Sequence, residues 1–482
     1  MKPELHVVFH SLDWLPLGLY VLFLLVVGFW PRKEDMEGFM IANRSLSIPV
    51  FVATLVATWY GGILGAGEFV YGDGLAAWVS QGLPYYVFAI VFALILARRV
   101  RGGAAHLYTI PDKFAQAYDR KTALLAACFA FFYAAPATYV LMVGTLLHLL
   151  FGWPLPIAMA VGILFSVAYV FRGGFLSDVR VNTLQFVLMF TGFLMVTGIC
   201  LAKFGGVAYL MHTKTLPPTH LKLLGTHDLA WAAVWFFIAL QTLSDPGFHQ
   251  RCYAARTPRT AAVGILIAVL CWMLFDTLTT TTGLFARALV PGLTDAKMAF
   301  PALAERVLPT GLKGLFYVGM LAPIMASLVS YTFIAAVTVG RDLVWRLRSD
   351  PDETKVPHYT RYGLIASSLF ALFVAMKVPS VVQQWYIFGN VYVPGMLIPL
   401  LGAYAPSPRW KTHPHFAFLS MLGGASVALG WLFWGLQHGG LDDPHFPLNW
   451  QPMFPGLLAA VAFYSLGLVR RSPAPDMTDI VR

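Results

Sequence analysis

Apolar runs long enough to cross a lipid bilayer recur along the whole chain. Each covers roughly 18 to 25 residues, which is the length of helix that spans the hydrocarbon of a bilayer. Only 12% of the 482 residues are charged, about half the share found in soluble domains. We therefore predict an all-α polytopic membrane protein with about thirteen transmembrane helices. The predicted spans are 12–30, 48–71, 77–97, 122–150, 153–171, 181–202, 229–250, 260–285, 313–340, 358–377, 379–404, 414–436 and 451–469.

The basic residues fall unevenly on the loops between these spans. Clusters such as Arg98-Arg99-Val100-Arg101 and Arg470-Arg471 lie on alternate loops, which together hold most of the 33 Lys and Arg residues. Basic loops remain in the cytoplasm, so the N-terminus is predicted to be outside and the C-terminus cytoplasmic. The compact loops favour a bacterial inner membrane. The net charge of +10 reflects this bias, and no nucleic-acid partner is predicted.

Two predicted spans are interrupted at membrane depth. The stretch 56–68, VATWYGGILGAGE, carries four glycines, and Asp245-Pro246-Gly247 interrupts the seventh span. Irregular backbone survives in lipid only where it faces protein or a water-filled cavity. If the first span is an accessory helix, the two breaks fall in the first and sixth of the next ten helices. These are corresponding positions in two halves of five helices each. That layout is typical of inverted-repeat transporters, which bind solute and ions at broken helices. Close helix packing at the pair Gly61 and Gly65 is the alternative interpretation of the glycines.

This plan divides the chain into three parts. Residues 1–37 are predicted to form an N-terminal accessory helix and loop, and residues 38–404 a ten-helix transporter core. The first half of that core covers about 48–202 and the second about 229–404. Residues 405–482 are predicted to form two C-terminal accessory helices and a short cytoplasmic tail.

The sequence does not point to an enzyme. It contains no HExxH and no GxSxG motif, and its four cysteines are spread singly without CxxC or CxxH spacing. Neither a disulfide framework nor a metal cluster is therefore indicated.

Five segments in chain order resemble the sodium/solute symporter family, over roughly residues 38–404. They are GFMIANRSLS before core helix 1, TIPDKFAQAYDRK at 109–121, RGGFLSDVRVNTLQ at 172–185, QRCYAARTPRTA at 250–261 and LAPIMASLVSYTFIAAVTVGRDL at 321–343. The resemblance implies the LeuT-type five-plus-five inverted repeat with discontinuous core helices 1 and 6. It also implies import of a small organic solute by alternating access, coupled to sodium. A proton-coupled or uncoupled transporter of the same fold is the alternative, followed by a membrane-embedded solute sensor.

Carried over position by position, the resemblance places the coupling sodium ion between core helices 1 and 8. Hard cations prefer oxygen ligands, which unwound backbone and hydroxyl groups supply at depth. The implied ligands are the carbonyl groups of Ala57, Tyr60 and Pro323 and the hydroxyl of Ser327. A hydroxyl bond from Ser327 back to the Pro323 carbonyl is the alternative role.

Two positions of this cation site depart from the family pattern. Ala326 stands where the family has a second hydroxyl, and Asn182 stands nearby in place of an aspartate on core helix 5. Asp178 lies one turn before Asn182 and could supply the missing charge, or it could cap the start of its helix.

The candidate solute-binding residues lie around the two breaks. Ionisable side chains within the membrane are costly to bury and are therefore functional candidates, which applies to Asp245 at the second break and to Asp276 in core helix 7. The other wall candidates are Trp59, Tyr60, Gln81, Tyr386 and Asn390. No Lys or Arg is predicted at membrane depth. The acidic and aromatic groups favour a neutral polyol or sugar, or an amine held by cation–π contact. The predicted partners are this solute, the coupling cation and the bilayer, with the protein functional as a monomer.

Overall fold

The computed structural model of the protein describes residues 7–28, 30, 35–103, 106–348, 352–440 and 444–469. Within these ranges the chain is helical, and its only β pairing is an isolated bridge between Leu46 and Ala255. Ten helices are long and apolar enough to cross a membrane, and two shorter apolar helices accompany them. The predicted all-α membrane architecture is confirmed, whereas the count of thirteen spans stays a prediction. The predicted tail at 470–482 lies outside the described residues.

The helices follow the predicted order closely. The N-terminal accessory helix is Ser11–Gly28, and the C-terminal pair is Pro414–Gly439 and Met453–Val469. Core helices 1, 2 and 3 occupy Ile48–Asp73, Ala76–Gly102 and Arg120–Phe151, core helices 4 and 5 share Leu155–Phe204, and core helix 6 is Leu229–Ile238 with Pro246–Ala254. Core helices 7 to 10 are Pro258–Leu289, Leu312–Trp345, Val356–Lys377 and Val381–Ala403.

Both predicted breaks are present. Core helix 1 changes from an α-helix to a 3₁₀ turn at Tyr60–Gly62 and then resumes. Core helix 6 passes through a 3₁₀ segment, Ala239–Leu243, and is interrupted at Asp245, whose backbone is extended. Proline at 246 then starts the second half-helix, where a missing N–H costs nothing.

Core helix 3 has a third break, which the sequence analysis missed. The helix stops at Ala134 and restarts at Ala137, and Ala135, with φ of −59° and ψ of 120°, lies outside the helical region. The cause is Pro136, because a proline pushes the residue before it out of the helical region. This break places Ala135 on the cavity described below.

Core helices 4 and 5 follow each other without a loop and are separated by a kink at Gly174, where the backbone departs from helical geometry with φ of 54°. The kink lies between the two predicted spans, 153–171 and 181–202. A Cβ atom at this position would lie 2.5 Å from the carbonyl oxygen of Phe39. Glycine is therefore required both by the backbone conformation and by the close approach of the segment before core helix 1.

Core helix 8 is the centre of the bundle, since every residue in the range 316–337 is buried. A charged network fixes its end on the side predicted to be cytoplasmic. Arg341 and Arg346 contact Asp112, which lies on the short helix Ile110–Ala117, at 2.5 and 2.6 Å. Burial opposes ionisation of Asp112, but the two guanidinium groups hold the pKa of its carboxyl below the usual range.

Candidate solute and cation sites

The glycines of core helix 1 allow two other helices to approach its backbone. A Cβ on Gly61 would lie 2.0 Å from Oγ of Ser327 on core helix 8. Cβ atoms on Gly62 and Gly65 would lie 2.4 and 2.9 Å from Trp385 on core helix 10. The close-packing interpretation of these glycines therefore applies together with the helix break, because the 3₁₀ turn and the contacts occupy the same residues.

Two of the predicted cation ligands, the Ser327 hydroxyl and the Pro323 carbonyl, lie at this contact. The hydroxyl of Ser327 reaches the Thr58 carbonyl on core helix 1, between Ala57 and Tyr60, and the Pro323 carbonyl at 3.0 Å. The predicted back-bond to Pro323 is thus present, together with a bond across the helix interface. The arrangement brings two carbonyl oxygens, those of Thr58 and Pro323, and one hydroxyl to one buried position, and hard cations prefer oxygen ligands of this kind.

A fully buried polar cluster lies one turn along core helix 8 from Ser327. Arg251 on core helix 6 donates through Nη2 to Oγ1 of Thr58 at 2.5 Å and to Oγ of Ser330 at 3.1 Å. The Ser330 hydroxyl donates to Asp178 Oδ2 at 2.6 Å, which is 4.0 Å from Arg251 Nη2. Asn182 donates to the same two hydroxyls at 3.4 and 3.3 Å. Thr58 therefore touches Ser327 with its carbonyl and Arg251 with its side chain.

Two expectations change because of this cluster. Asp178 balances a buried arginine, so its role is an ion pair rather than a cap at the start of core helix 5. The prediction that no Lys or Arg lies at membrane depth is wrong for Arg251, which stands near the loop arginines Arg256 and Arg259 in the sequence. Arg256 and Arg259 are indeed exposed, whereas Arg251 is completely buried.

A cavity of ≈ 150 Å³ lies beside the break of core helix 1. Core helices 1, 2, 3, 6, 8 and 10 contribute to its wall. It extends from Trp59 and Tyr60 towards Ala66 and Gln81, in the half of the bundle predicted to be extracellular. Of the predicted solute-binding residues, Trp59, Tyr60 and Gln81 are therefore brought together.

Tyr386 and Asn390 are placed on a different face of core helix 10. The Tyr386 hydroxyl donates to Gln451, and the Asn390 side chain accepts a hydrogen bond from the backbone of Met453 at 3.1 Å. Both residues bind the C-terminal accessory region and do not line the cavity. Their neighbours Trp385 and Phe388 do so instead, because adjacent residues on a helix point in different directions.

Asp245 lies behind the cavity wall, with no exposed surface. Its Oδ1 accepts a hydrogen bond from the backbone of Phe248 at 3.0 Å and so caps the second half of core helix 6. Its Oδ2 accepts from the hydroxyls of Tyr133 and Tyr331 at 3.0 and 2.8 Å. Both tyrosines line the cavity. The carboxylate therefore positions two wall residues and has no route of its own to a solute.

Asp276 is arranged in a similar way on the other flank. It accepts a hydrogen bond from the Tyr86 hydroxyl, and the Tyr60 hydroxyl lies beside it. Tyr60 separates the carboxylate from the cavity, which Asp276 does not line. Each predicted acidic residue is thus screened from the cavity by tyrosine.

Several wall residues were missed by the sequence analysis. They are Tyr85, Tyr133, Thr138, Tyr139, Gln241 and Tyr331. Gln241 precedes Asp245 by four residues, so its position next to the second break was a usable signal. The tyrosines gave no signal, because aromatic residues in membrane helices usually pack against other helices or lie at the lipid interface.

The family model named "Sodium:solute symporter family" matches residues 39–403. The osmoregulated proline transporter OpuE of Bacillus subtilis is 23% identical over 87% of this chain and 88% of its own. The sodium/pantothenate symporter of Haemophilus influenzae is 23% identical, with coverage of 85% and 88%. The sodium/myo-inositol cotransporter 2 of Mus musculus is 24% identical, with coverage of 86% and 68%.

A solved structure of a Na⁺-coupled sialic acid symporter in a substrate-bound outward-open state has a similar fold. The TM-score is 0.78, with 13% identity over 98% of this chain and 100% of that one. At this identity the likeness concerns the fold. The predicted inverted-repeat fold of LeuT type is confirmed.

Proposed function

The chain belongs to the sodium:solute symporter family, and on that premise we propose that sodium bound between core helices 1 and 8 drives import of a small organic solute from the cavity beside them. The protein is a multi-pass membrane transporter and not an enzyme. Rocking of one group of helices against the other would expose the site alternately to the two sides of the membrane.

One observation carries the proposal: three consecutive residues of core helix 1, Thr58, Trp59 and Tyr60, contribute to both sites. Trp59 and Tyr60 line the cavity, while the Thr58 carbonyl meets the Ser327 hydroxyl. An ion that binds the backbone carbonyls of this segment also moves the side chains of Trp59 and Tyr60. Coupling between the ion and the solute requires a structural element whose conformation depends on the binding of both. This segment of core helix 1 meets that requirement.

The proposed sodium ligands are the carbonyl oxygens of Ala57, Tyr60 and Pro323 and the Ser327 hydroxyl, with Asn182 nearby. All are neutral. Sodium binds neutral carbonyl and hydroxyl oxygens in buried sites where the backbone is unwound. Trp59, Tyr60 and Gln81 are the proposed solute contacts, and Asp245 and Asp276 hold the tyrosines of the wall.

Transport without sodium, driven by a proton or by the solute gradient alone, is the second candidate. It is favoured by the cluster beside the ion site, where Arg251 already balances a nearby carboxylate, that of Asp178, at 4.0 Å. The guanidinium group of Arg251 would then permanently supply the positive charge that a bound sodium ion supplies in a sodium-coupled transporter.

We further propose the three-part division predicted from the sequence, with residues 1–37 and 405–482 flanking a core at 38–404. The arginines at the ends of core helices 2 and 8 support a cytoplasmic location for those ends. The N-terminus is then outside, the C-terminus is cytoplasmic, and the protein acts as a monomer in the inner membrane.

Uptake into proteoliposomes tests the function. We expect at least one member of a labelled panel that includes proline, pantothenate and myo-inositol to accumulate under an inward sodium gradient, and accumulation to fall about tenfold or more with potassium. The exposed Arg259→Gln variant is a matched control and should behave as the wild type. Equal accumulation in both salts would support the second candidate. Accumulation of no solute in either salt would contradict transport from this cavity.

A further inference from the structure

The cavity wall carries no charge. Among the described residues that line it, none is an Asp, Glu, Lys, Arg or His. The oxygens of Asp245 are occupied by Tyr133, Tyr331 and the Phe248 backbone. The cavity is therefore neutral, although acidic residues lie close behind it.

The wall offers both hydrogen-bond donors and acceptors. Gln81 and Gln241 each carry a carbonyl oxygen and an amide nitrogen. The Gln241 nitrogen donates to the Tyr85 hydroxyl at 3.1 Å, which leaves its carbonyl available as an acceptor. The Gln81 nitrogen is buried without a partner among the described residues. A buried amide donor that lacks a partner is costly, and rotation of the Gln81 side chain towards a ligand in the cavity that accepts this hydrogen bond would remove the cost.

The rest of the wall is aromatic. Trp59 lies at one side, with its ring centroid 5.7 Å from that of Tyr85, and Trp385 and Phe388 come from core helix 10. Flat apolar faces combined with a few polar groups are typical of small-molecule sites. They suit a solute that has an apolar C–H face and a polar edge.

The volume limits the size of the solute. A cavity of ≈ 150 Å³ is comparable to the engineered cavity of about 150 Å³ that accommodates benzene in another protein. One six-membered ring therefore fits, whereas a disaccharide or an extended chain does not.

We propose that the solute is an uncharged, ring-sized polyol, that is, a monosaccharide or a cyclitol. Hydroxyl groups both donate and accept hydrogen bonds, which matches the amide nitrogen and carbonyl oxygen that Gln81 and Gln241 each carry. One face of the ring stacks on Trp59 or Trp385. This inference rests on the proposed function, since it takes the cavity as the transport site.

The two charged solute classes fit this wall less well. A carboxylate would need a cation or several converging donors, yet the buried Arg251 is bound to Thr58 and Ser330 outside the cavity. An ammonium group only donates hydrogen bonds and would leave the unpartnered Gln81 nitrogen unsatisfied. Either charge would be moved from water into a site without a counter-charge.

Isothermal titration calorimetry on the purified protein in sodium tests the solute class. The uncharged probes are glucose, galactose, mannose, myo-inositol and scyllo-inositol, and the charged counterparts are glucosamine and glucuronate. We expect at least one uncharged probe to bind about 100-fold more tightly than either charged counterpart, since a charge buried without a partner is costly. Tighter binding of a charged counterpart, or no binding of any uncharged probe, overturns the proposal.

A charge introduced at Gln81 gives a second readout. In Gln81→Glu we expect the ratio of glucosamine to glucose affinity to rise about tenfold or more, because the wall then carries an anion. Gln437→Glu is the matched control, since Gln437 is exposed on the accessory helix Pro414–Gly439. An unchanged ratio in Gln81→Glu would place the solute elsewhere and overturn the proposal.

The transport assay separates this inference from the proposed function. If a carboxylate or an amine accumulates under a sodium gradient and no polyol does, the solute class is wrong and sodium-coupled transport stands. If a polyol binds and accumulates equally in sodium and potassium, the solute class stands and the coupling is wrong.

Discussion

Replacement of Arg251 by methionine is expected to lower the stability of the protein by about 3 to 5 kcal/mol, because it leaves the buried carboxylate of Asp178 without its counter-charge. Both side chains are completely buried, with 4.0 Å between Nη2 and Oδ2. The change also removes the donors to the Thr58 and Ser330 hydroxyls. Thermal unfolding of the purified protein should show a large decrease in melting temperature.

A double variant and a control separate this effect from a general loss of packing. Combining Arg251→Met with Asp178→Leu removes both charges, so it should be more stable than the single Arg251→Met variant. Arg259→Met changes an exposed arginine of the same segment and should leave the melting temperature nearly unchanged. Equal melting temperatures for Arg251→Met and Arg259→Met would show that the buried ion pair is not formed.

Replacement of Gly61 by alanine is expected to abolish transport and to destabilise the protein by about 1 to 3 kcal/mol, as overpacking of a buried contact does. The new methyl group would lie 2.0 Å from Oγ and 2.2 Å from Cβ of Ser327. Rotation of the serine side chain cannot relieve the contact with Cβ, so core helices 1 and 8 must separate. Uptake and thermal unfolding measure the two consequences.

Gly72 provides the matched control on the same helix. A Cβ atom built on Gly72 meets nothing within 4 Å. Gly72→Ala should therefore keep transport and could gain up to about 1 kcal/mol of helix stability. Similar behaviour of the two alanine variants would contradict the close contact between core helices 1 and 8.

The helices and their breaks could be predicted from the sequence, because they depend on residues that are close together along the chain. The lengths of the apolar runs predicted the membrane-spanning helices. The glycine-rich stretch near Gly61 and the sequence Asp245-Pro246-Gly247 predicted the two helix breaks. Pro136 carried an equally good signal for the third break, which was overlooked. Local backbone rules therefore account for all three interruptions.

The parts that depend on helix packing could not be predicted. Whether Tyr386 or Trp385 faces the cavity depends on the rotation of core helix 10 about its own axis. Packing against the adjacent helices determines this rotation. Arg251 lies next to loop arginines in the sequence, and only the approach of core helix 5 with Asp178 shows that it is buried. Likewise, the screening of Asp245 by Tyr133 needs core helix 3 in place.

The sodium site is tested most directly by thermal unfolding of the purified protein in sodium and in potassium at one ionic strength. A ligand that binds only the folded state stabilises it by mass action, by about 2.7 kcal/mol at a concentration 100 times its Kd. Ser327→Ala removes the proposed hydroxyl ligand. Thr332→Val removes a hydroxyl of the same helix whose one bond among the described residues is to the Leu328 carbonyl.

We predict a stabilisation specific to sodium in the wild type and in Thr332→Val, and its loss in Ser327→Ala. Equal stability of the wild type in sodium and potassium at saturating salt, or a sodium effect that persists in Ser327→Ala, would contradict the proposed sodium site.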